Sequence, residues 1–365
     1  MAHEQQKLPN SYGATAAPPP TPSTQPNSLS SSDAADALSR LFHRLPPTLS
    51  LSLPPRLSLP LISFSFSESN PNLLADLLSS SSSQLGFFQL TNHPIPSQLA
   101  RSAELESLHI FDLPRDQKQQ SFPIRNWPLG FDDDDDDEVG ESFCFDGSCS
   151  TGSTELSLSS LREFTRAMEK LGLEIVESLS CAVGFDNPFR ERATPFCSLM
   201  WVSEGHAGNK PVLSGRFYPY VIALQFQIRC QKYSLLADSG WVSVSPLVDS
   251  VMVTVGDIAQ VWSNGKLKKV RGRPVASSKE DDKSRNITMS LLLTLPTDST
   301  ISPAILPMVA TGGDNDDDEG QNSGGDIDSK AEKKLFCSFS FEDYAWRVYH
   351  QRLLFKDPLN RYRIK

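Results

Sequence analysis

Six histidines are the side chains of this sequence best suited to hold a catalytic metal ion. They are His3, His43, His93, His109, His206 and His350. An iron site of the two-histidine, one-carboxylate type needs two histidines that converge within one domain. Only His206 falls in the strand-rich part of the chain, and His93 in its Asn-His-Pro turn favours a hydrogen-bonding role. The histidine count therefore argues against a standard iron site.

The other residue types that carry chemistry show no arrangement typical of a site. The six cysteines are scattered through 365 residues, which predicts reduced thiols. Cys144 and Cys149 form a C-x4-C pair, but no second ligand pair accompanies them, so a coincidence in a loop is favoured over a zinc site. The sequence contains no phosphate-binding glycine loop and no nucleophile elbow, which excludes those enzyme classes.

Composition limits the partners. The net charge of −10 argues against a nucleic-acid partner, because phosphate contacts need clustered basic residues. The basic run 266–273 is interpreted as a solvated strand edge. No window approaches the roughly 18 consecutive apolar residues of a membrane span, and the N-terminus shows no apolar signal-peptide core. A cytoplasmic location, with access to the nucleus, is the default expectation.

The first half of the chain predicts an arm followed by a helical region. Residues 1–57 form a Ser/Pro-rich arm, predicted to be largely disordered because it offers little apolar area to bury. Residues 58–185 are predicted as a helical region that opens with a strand at 59–64. A three-to-four-residue apolar repeat predicts one long helix over 155–183. Six consecutive aspartates lie within 131–154, which predicts a solvated acidic loop rather than a calcium site, since the alternating calcium-ligand spacing is missing.

The second half changes to short alternating runs. Residues 195–300 contain runs that predict strands at 221–228, 241–244, 251–255, 258–262, 270–275 and 287–295. Many short strands at this spacing favour a sandwich or barrel such as a jelly roll. An acidic, Gly-rich insertion at 311–331 is predicted to be disordered, and 335–365 is predicted to contain a C-terminal helix that packs on the core. The expected fold class is α+β.

Several short motifs, in this order and spacing, resemble the plant 2-oxoglutarate- and Fe(II)-dependent dioxygenases, the superfamily of gibberellin oxidases and flavonoid oxygenases. The motifs are Leu59-Pro60-Leu61-Ile62-Ser63-Phe64, Gly86-Phe87-Phe88-Gln89-Leu90-Thr91-Asn92-His93, Phe111-x-Leu113-Pro114 with Lys118, Trp241 to Pro246, Val255-Gly256-Asp257 and Trp262-Ser263-Asn264-Gly265-Lys266. The resemblance implies a double-stranded β-helix (jelly roll) core, flanked by N-terminal helices and a C-terminal helix. It also implies a family activity that uses Fe(II) and 2-oxoglutarate.

The metal ligands of that family are missing at the matching positions. Counting from the motifs places the first histidine on Arg216, the aspartate on Tyr218 and the second histidine on Gly272. A guanidinium has no lone pair to donate, a phenol is a poor exchange for a carboxylate, and glycine offers no side chain. Of the co-substrate residues, only Arg285 survives. The resemblance therefore implies a degenerate member, with no metal and no cofactor predicted.

Three hypotheses about function remain open. The favoured one is a pseudoenzyme that retains a site for a small organic acid, held by Arg216 and Arg285, although these arginines equally suit pairing with acidic neighbours. A second is a protein-interaction role for the acidic and Ser/Pro-rich segments. The alternative is an active oxygenase that hydroxylates a plant hormone or specialised metabolite through a non-standard iron site, built from His206 with Asp238 or Asp249.

Overall fold

In the computed structural model, the described residues all belong to one of the two units into which the chain divides, Pro54–Lys365. The described residues are 58–63, 80–124, 127–132, 141–152, 156–190, 196–205, 218–238, 240–277, 286–304, 333–350 and 357–364. The predicted arm at 1–57, the aspartate run after Asp132 and the insertion at 311–331 lie outside these residues. No helix among the described residues is long and apolar enough to cross a membrane.

An eight-stranded mixed sheet forms the larger layer, with strand order β1-β2-β9-β6-β11-β5-β4-β3. Its strands are β1 (Leu61–Ser63), β2 (Phe87–Thr91), β3 (Gly130–Asp132), β4 (Ser142–Asp146), β5 (Cys197–Gly205), β6 (Ile222–Phe226), β9 (Val251–Val255) and β11 (Asn286–Thr294). A three-stranded sheet of order β10-β7-β8 forms the smaller layer. Its strands are β7 (Lys232–Ala237), β8 (Gly240–Val244) and β10 (Val270–Ser277). Two short strands, β12 (Thr300–Ile301) and β13 (Phe339–Ser340), pair separately.

The described residues form five α-helices, of which the first and the third pack against strands of the larger sheet. They are α1 (Ser97–Phe111), α2 (Arg115–Ser121), α3 (Ser159–Val183), α4 (Asp257–Trp262) and α5 (Phe341–His350), and a 3-10 helix spans Pro358–Tyr362. α3 packs closely on the sheet at Gly172. A Cβ atom at this position would lie only 2.8 Å from a methyl group of Leu293. The opposite face meets the three-stranded sheet through a shared apolar cluster that includes Phe87, Met252 and Leu235. The α+β fold class with a two-layered strand core is confirmed.

Several predicted elements are confirmed, and the strand expected over 258–262 is wrong. The helix expected over 155–183 begins at Ser159, and the strand expected over 251–255 is β9. The run 258–262, expected to be a strand, belongs to α4. All six residues of α4 are buried, so its apolar run has no polar face to reveal the helical repeat.

Part of the predicted acidic loop at 131–154 is also wrong. Residues Ser142–Asp146 form β4, which pairs with β5 along five residue pairs. The strand was missed because its short apolar core, Phe143 to Phe145, stands beside acidic and small residues that are typical of loops. The six cysteines, all of them within the described residues, form no disulfide.

The basic run expected at a solvated strand edge contains a fully buried lysine. The Nζ atom of Lys269 lies 2.6 Å from an Oδ1 atom of Asp257 and 2.6 Å from Oδ1 of Asp357, and the side chain is 0% exposed. Asp257 begins α4, Lys269 directly precedes β10, and Asp357 caps the 3-10 helix by accepting from the Leu359 N–H. The ion pair therefore joins three segments that are distant in sequence.

Replacing Lys269 with methionine should lower the free energy of unfolding by about 3–5 kcal/mol, because two carboxylates would lose their shared buried cation. The neighbouring Lys268 has an exposed side chain and provides the matched control. We expect Lys268→Met to change stability by less than about 0.5 kcal/mol. Urea denaturation measures both, and equal stabilities of the two variants would contradict the role of Lys269.

The same ion pair makes stability depend on acidic pH. Burial opposes ionisation of Asp357, but the Lys269 ammonium outweighs this effect and holds the pKa of the carboxyl below its ordinary value of 3.8. A lowered folded-state pKa contributes stability that is present above the unfolded pKa and is lost as pH falls through the folded pKa. The stability advantage of the wild type over Asp357→Asn should therefore shrink below about pH 4. A pH-independent difference in urea midpoints would count against this account.

Candidate functional site

Two of the three positions that counting from the motifs assigns to metal ligands lie in segments that are joined in the fold. Tyr218 precedes β6, and Gly272 lies in β10, where the pairing with β7 shifts register between Arg271 and Val275. The hydroxyl of Tyr220 donates to the carbonyl oxygen of Val270 at 3.1 Å, which joins the segment before β6 to the start of β10. The third position, Arg216, lies outside the described residues.

Gly256 allows the backbone of the segment before β6 to lie very close to the start of α4. A Cβ atom at this position would lie 2.0 Å from the carbonyl oxygen of Tyr220. The Gly256 N–H donates to the carbonyl of Val221 at 2.9 Å, and the N–H of Ile258 donates to Tyr220 at 3.2 Å. The Gly-Asp motif of the sequence therefore fixes the backbone around residues 220–221 and supplies Asp257 to the buried ion pair.

Tyr218 is enclosed by aromatic rings. Its ring centroid lies 5.1 Å from that of Trp127 and 5.8 Å from that of Phe341, and only 4% of the residue is exposed. Burial raises the pKa of the phenol well above its ordinary value. A tyrosine binds a metal as phenolate, so this environment opposes the ionised form that a metal ligand would require.

The residues at these positions do not fit an Fe(II) ion. Tyr218 is held in its neutral form, and Gly272 has no donor atom. Within the described part of the chain, no group of three His, Cys, Asp or Glu side chains is arranged to hold a metal ion. Arg285 lies outside the described residues, so the acid-binding role expected for Arg216 and Arg285 stays a prediction.

The carboxylates considered for a non-standard iron site lie at opposite ends of the β7–β8 hairpin. Asp238 is exposed in the turn after Ala237, and its Oδ2 accepts from the Gln260 amide at 3.1 Å. Asp249 is exposed in the connection that leads from β8 to β9. The two aspartates cannot serve one site together, and His206 lies outside the described residues.

The remaining histidines of the described residues have structural surroundings. His93 packs edge-on against Phe226, its Nε2 lies 3.1 Å from the carbonyl oxygen of Asp249, and its Nδ1 accepts from the Ile95 N–H at 3.3 Å. Burial lowers the pKa of His93, which favours the neutral ring that these two contacts require. His109 is exposed on α1, and His350 is exposed at the end of α5, stacked on Trp346. The hydrogen-bonding role expected for His93 is confirmed.

Other motif residues also position the backbone. Asn264 donates from its side chain to the carbonyl of Lys333 at 3.0 Å and accepts from the Leu335 N–H at 2.7 Å. Asn92 donates to the Ser63 hydroxyl at 2.8 Å. Lys118 is buried, forms an ion pair with Glu141 and lies over the Phe131 ring. These motif residues therefore hold connections of the scaffold in place.

Comparisons with known proteins agree with this architecture. The family model for the N-terminal region of non-haem dioxygenases, described as acting in morphine synthesis, matches residues 59–134. The model of the 2OG-Fe(II) oxygenase superfamily matches residues 221–289, a range that includes Gly272 and Arg285 and begins after Tyr218.

Curated relatives are similar at modest identity. Gibberellin 2-beta-dioxygenase 1 of Arabidopsis thaliana is 25% identical over 226 residues, which cover 53% of this chain and 68% of the relative. Gibberellin 2-beta-dioxygenase 6 of Oryza sativa subsp. japonica is 23% identical, covering 57% of this chain and 64% of the relative. The 1-aminocyclopropane-1-carboxylate oxidase 2 of Doritaenopsis sp. is 25% identical, covering 75% and 84%. The chain thus spans about two thirds of the gibberellin dioxygenases it matches.

Solved structures share the fold. The crystal structure of JOX2 in complex with 2OG, Fe and JA superposes with a TM-score of 0.62 at 17% identity, covering 87% of this chain and 92% of that chain. The dioxygenase for auxin oxidation from rice gives a TM-score of 0.60 at 17% identity, covering 84% and 100%. These structural likenesses assign the fold as a jelly roll, and the two matched family models and the curated relatives make the chain similar to the plant 2-oxoglutarate- and Fe(II)-dependent dioxygenase superfamily.

Proposed function

We propose that this protein is a catalytically degenerate member of the superfamily, which acts by binding a small molecule or a protein partner rather than by oxidation. The observation that carries the proposal is the environment of Tyr218. A residue at the position of a metal-binding carboxylate is instead packed between Trp127 and Phe341, with burial opposing its ionisation. The relatives named above are oxygenases, so the proposal separates this chain from them by its site and not by its fold.

The loss of ligands at more than one position supports this reading further. Restoring iron binding at Tyr218 would still leave Gly272 without a donor atom, and the chain has only six histidines. Three protein ligands from two histidines and one carboxylate are what the open iron site of such oxygenases requires. The active alternative needs ligands from elsewhere in the barrel, and the exposed positions of Asp238 and Asp249 do not favour them.

We expect no stoichiometric iron in the purified protein after anaerobic reconstitution with Fe(II), and no release of succinate from 2-oxoglutarate. The physical reason is the lack of three converging ligands at the matching positions. Metal analysis and succinate quantification make the measurement, with an active gibberellin 2-beta-dioxygenase as the positive control. One iron per chain together with sustained succinate formation would overturn the proposal.

Tyr218 gives a second test that separates a structural role from a lost ligand. Tyr218→Asp should lower the free energy of unfolding by about 3 kcal/mol or more, because it removes a buried ring and introduces a carboxylate among aromatic side chains. It should also confer no affinity for Fe(II). Tyr218→Phe keeps the ring and is the matched control, expected within about 1 kcal/mol of wild type.

Chemical denaturation and equilibrium dialysis against Fe(II) measure these two properties. A Tyr218→Asp variant that is as stable as wild type and binds iron would show that the site is nearly intact, contrary to the proposal.

A further inference from the structure

Three buried polar side chains share one face of the eight-stranded sheet. Gln225 in β6 and Ser290 in β11 are direct partners across the two strands. Gln227 follows the last residue of β6 and continues its pairing, because its N–H donates to the carbonyl of Ser250 at 2.9 Å, so the two-residue strand repeat carries its side chain to the same face as Gln225. The exposed fractions are 3% for Gln225, 1% for Gln227 and 1% for Ser290. The three side chains therefore lie in the interior of the protein.

This face is turned toward the three-stranded sheet. Met252 is the direct partner of Gln225 across β6 and β9, and it packs in the apolar cluster with Tyr233 and Leu235 of β7. Burial raises the pKa of the Tyr233 phenol, and hydrogen bonding with the amides of Gln225 and Gln227 partly offsets this effect. The two amides therefore lie within hydrogen-bonding range of a β7 side chain from the facing sheet.

One polar atom of each of the three side chains has no hydrogen-bond partner within the described part of the chain. These atoms are Oε1 of Gln225, Oε1 of Gln227 and Oγ of Ser290. The Gln227 amide is oriented by its other end, because its Nε2 donates to the backbone carbonyl of Gln225 at 3.2 Å. A buried polar atom without a partner costs about 1–3 kcal/mol, so this cluster favours a bound molecule that supplies the missing hydrogen bonds.

The chemistry of these atoms selects the charge of the molecule. Two of the three are amide oxygens, which accept hydrogen bonds. A carboxylate ligand also offers only acceptors, so it cannot form hydrogen bonds with these two oxygens. A cation would need a compensating carboxylate, and Glu104, whose charge acts on Tyr233, already pairs with Arg229. An uncharged molecule with N–H donors meets both requirements, because it neither repels the oxygens nor brings an unpaired charge into the interior.

The spacing of the residues sets the size of the molecule. Residues two apart on a strand are about 6.6 Å apart along the backbone, and the Gln227 amide folds back toward the Gln225 carbonyl, so the two side chains address a small ligand. Ser290, opposite Gln225, adds a hydroxyl that can donate or accept. A short chain with a primary amide at each end fits this arrangement.

We propose that the barrel interior binds a small uncharged molecule with two N–H donor groups, such as a five-carbon diamide, through Gln225, Gln227 and Ser290. The inference rests on the proposed function in one respect, since it requires that no iron and 2-oxoglutarate occupy the same interior. In this proposal a neutral ligand takes the place of the dicarboxylate 2-oxoglutarate, which is of similar length.

Three probes of equal chain length and different charge test the proposal on the full chain. They are glutaramide, which is neutral, glutarate, which is a dianion, and 1,5-diaminopentane, which is a dication. We expect calorimetric binding and a raised thermal midpoint with glutaramide alone. Binding of glutarate in preference to glutaramide would overturn the inference in favour of an acid site, and absence of binding by all three would overturn it outright.

A double variant, Gln225→Met with Ser290→Ala, locates the binding. It should weaken glutaramide binding by about tenfold or more, because two sets of hydrogen bonds are lost. The ligand-free thermal midpoint of the double variant sets the temperature of the titration, so that affinities are compared on folded protein. Unchanged affinity for glutaramide would place the binding elsewhere and overturn the assignment.

Gln260→Met is the matched control. Gln260 is also buried, at 2% exposure, and its Oε1 also has no partner among the described residues, but it lies on α4. This variant should bind glutaramide as wild type does, and an equal loss of affinity in the control would contradict a local site. Iron content of the same preparations is measured separately, so failure of the neutral ligand and failure of the non-catalytic function are distinguished.

Discussion

The buried ammonium of Lys269 is the interaction on which the arrangement of this barrel depends. It lies 2.6 Å from a carboxylate oxygen of Asp257 and 2.6 Å from one of Asp357. Asp257 begins α4 directly after Gly256, whose missing side chain lets the Tyr220 backbone approach. Lys269 also sets the start of β10, which carries Gly272. A charge removed from water is stabilised only by close partners, so these three segments must stay together for the core to remain intact.

Motif residues elsewhere in the chain also hold the fold together. Asn92, His93, Lys118 and Asn264 all make hydrogen bonds or ion pairs that hold turns and connections in place. None of these contacts needs a metal ion. The scaffold of the superfamily is thus specified by interactions that are physically independent of the iron site, which explains how the fold persists where the matching ligand positions carry Tyr218 and Gly272.

Much of the architecture could be predicted from the sequence, because apolar periodicity reports directly on burial. The long helix α3 and strand β9 are examples, since one has a clear stripe and the other a continuous apolar run. Helix α4 could not be distinguished from a strand because every one of its residues is buried. The run of basic residues that contains Lys269 predicts exposure to solvent. Burial of Lys269 is favourable only because Asp257 and Asp357 lie beside its ammonium group in the folded protein.

The candidate site was predictable only in part. Counting from motifs placed Tyr218 and Gly272, and the Tyr220 contact with Val270 joins their surroundings. The polar cluster of Gln225, Gln227 and Ser290 gave no sequence signal, because polar residues within apolar strands usually mark a solvent-exposed face. Their common direction depends on the register of β6 and β11, which is a property of the folded sheet.

The most direct measurement of the central claim, that the barrel of this oxygenase-like protein holds no iron, is anomalous diffraction at the iron edge. It would use crystals treated anaerobically with Fe(II) and 2-oxoglutarate. The account predicts no iron peak beside Tyr218 or Gly272. A strong peak there, with protein side chains within coordination distance, would contradict it.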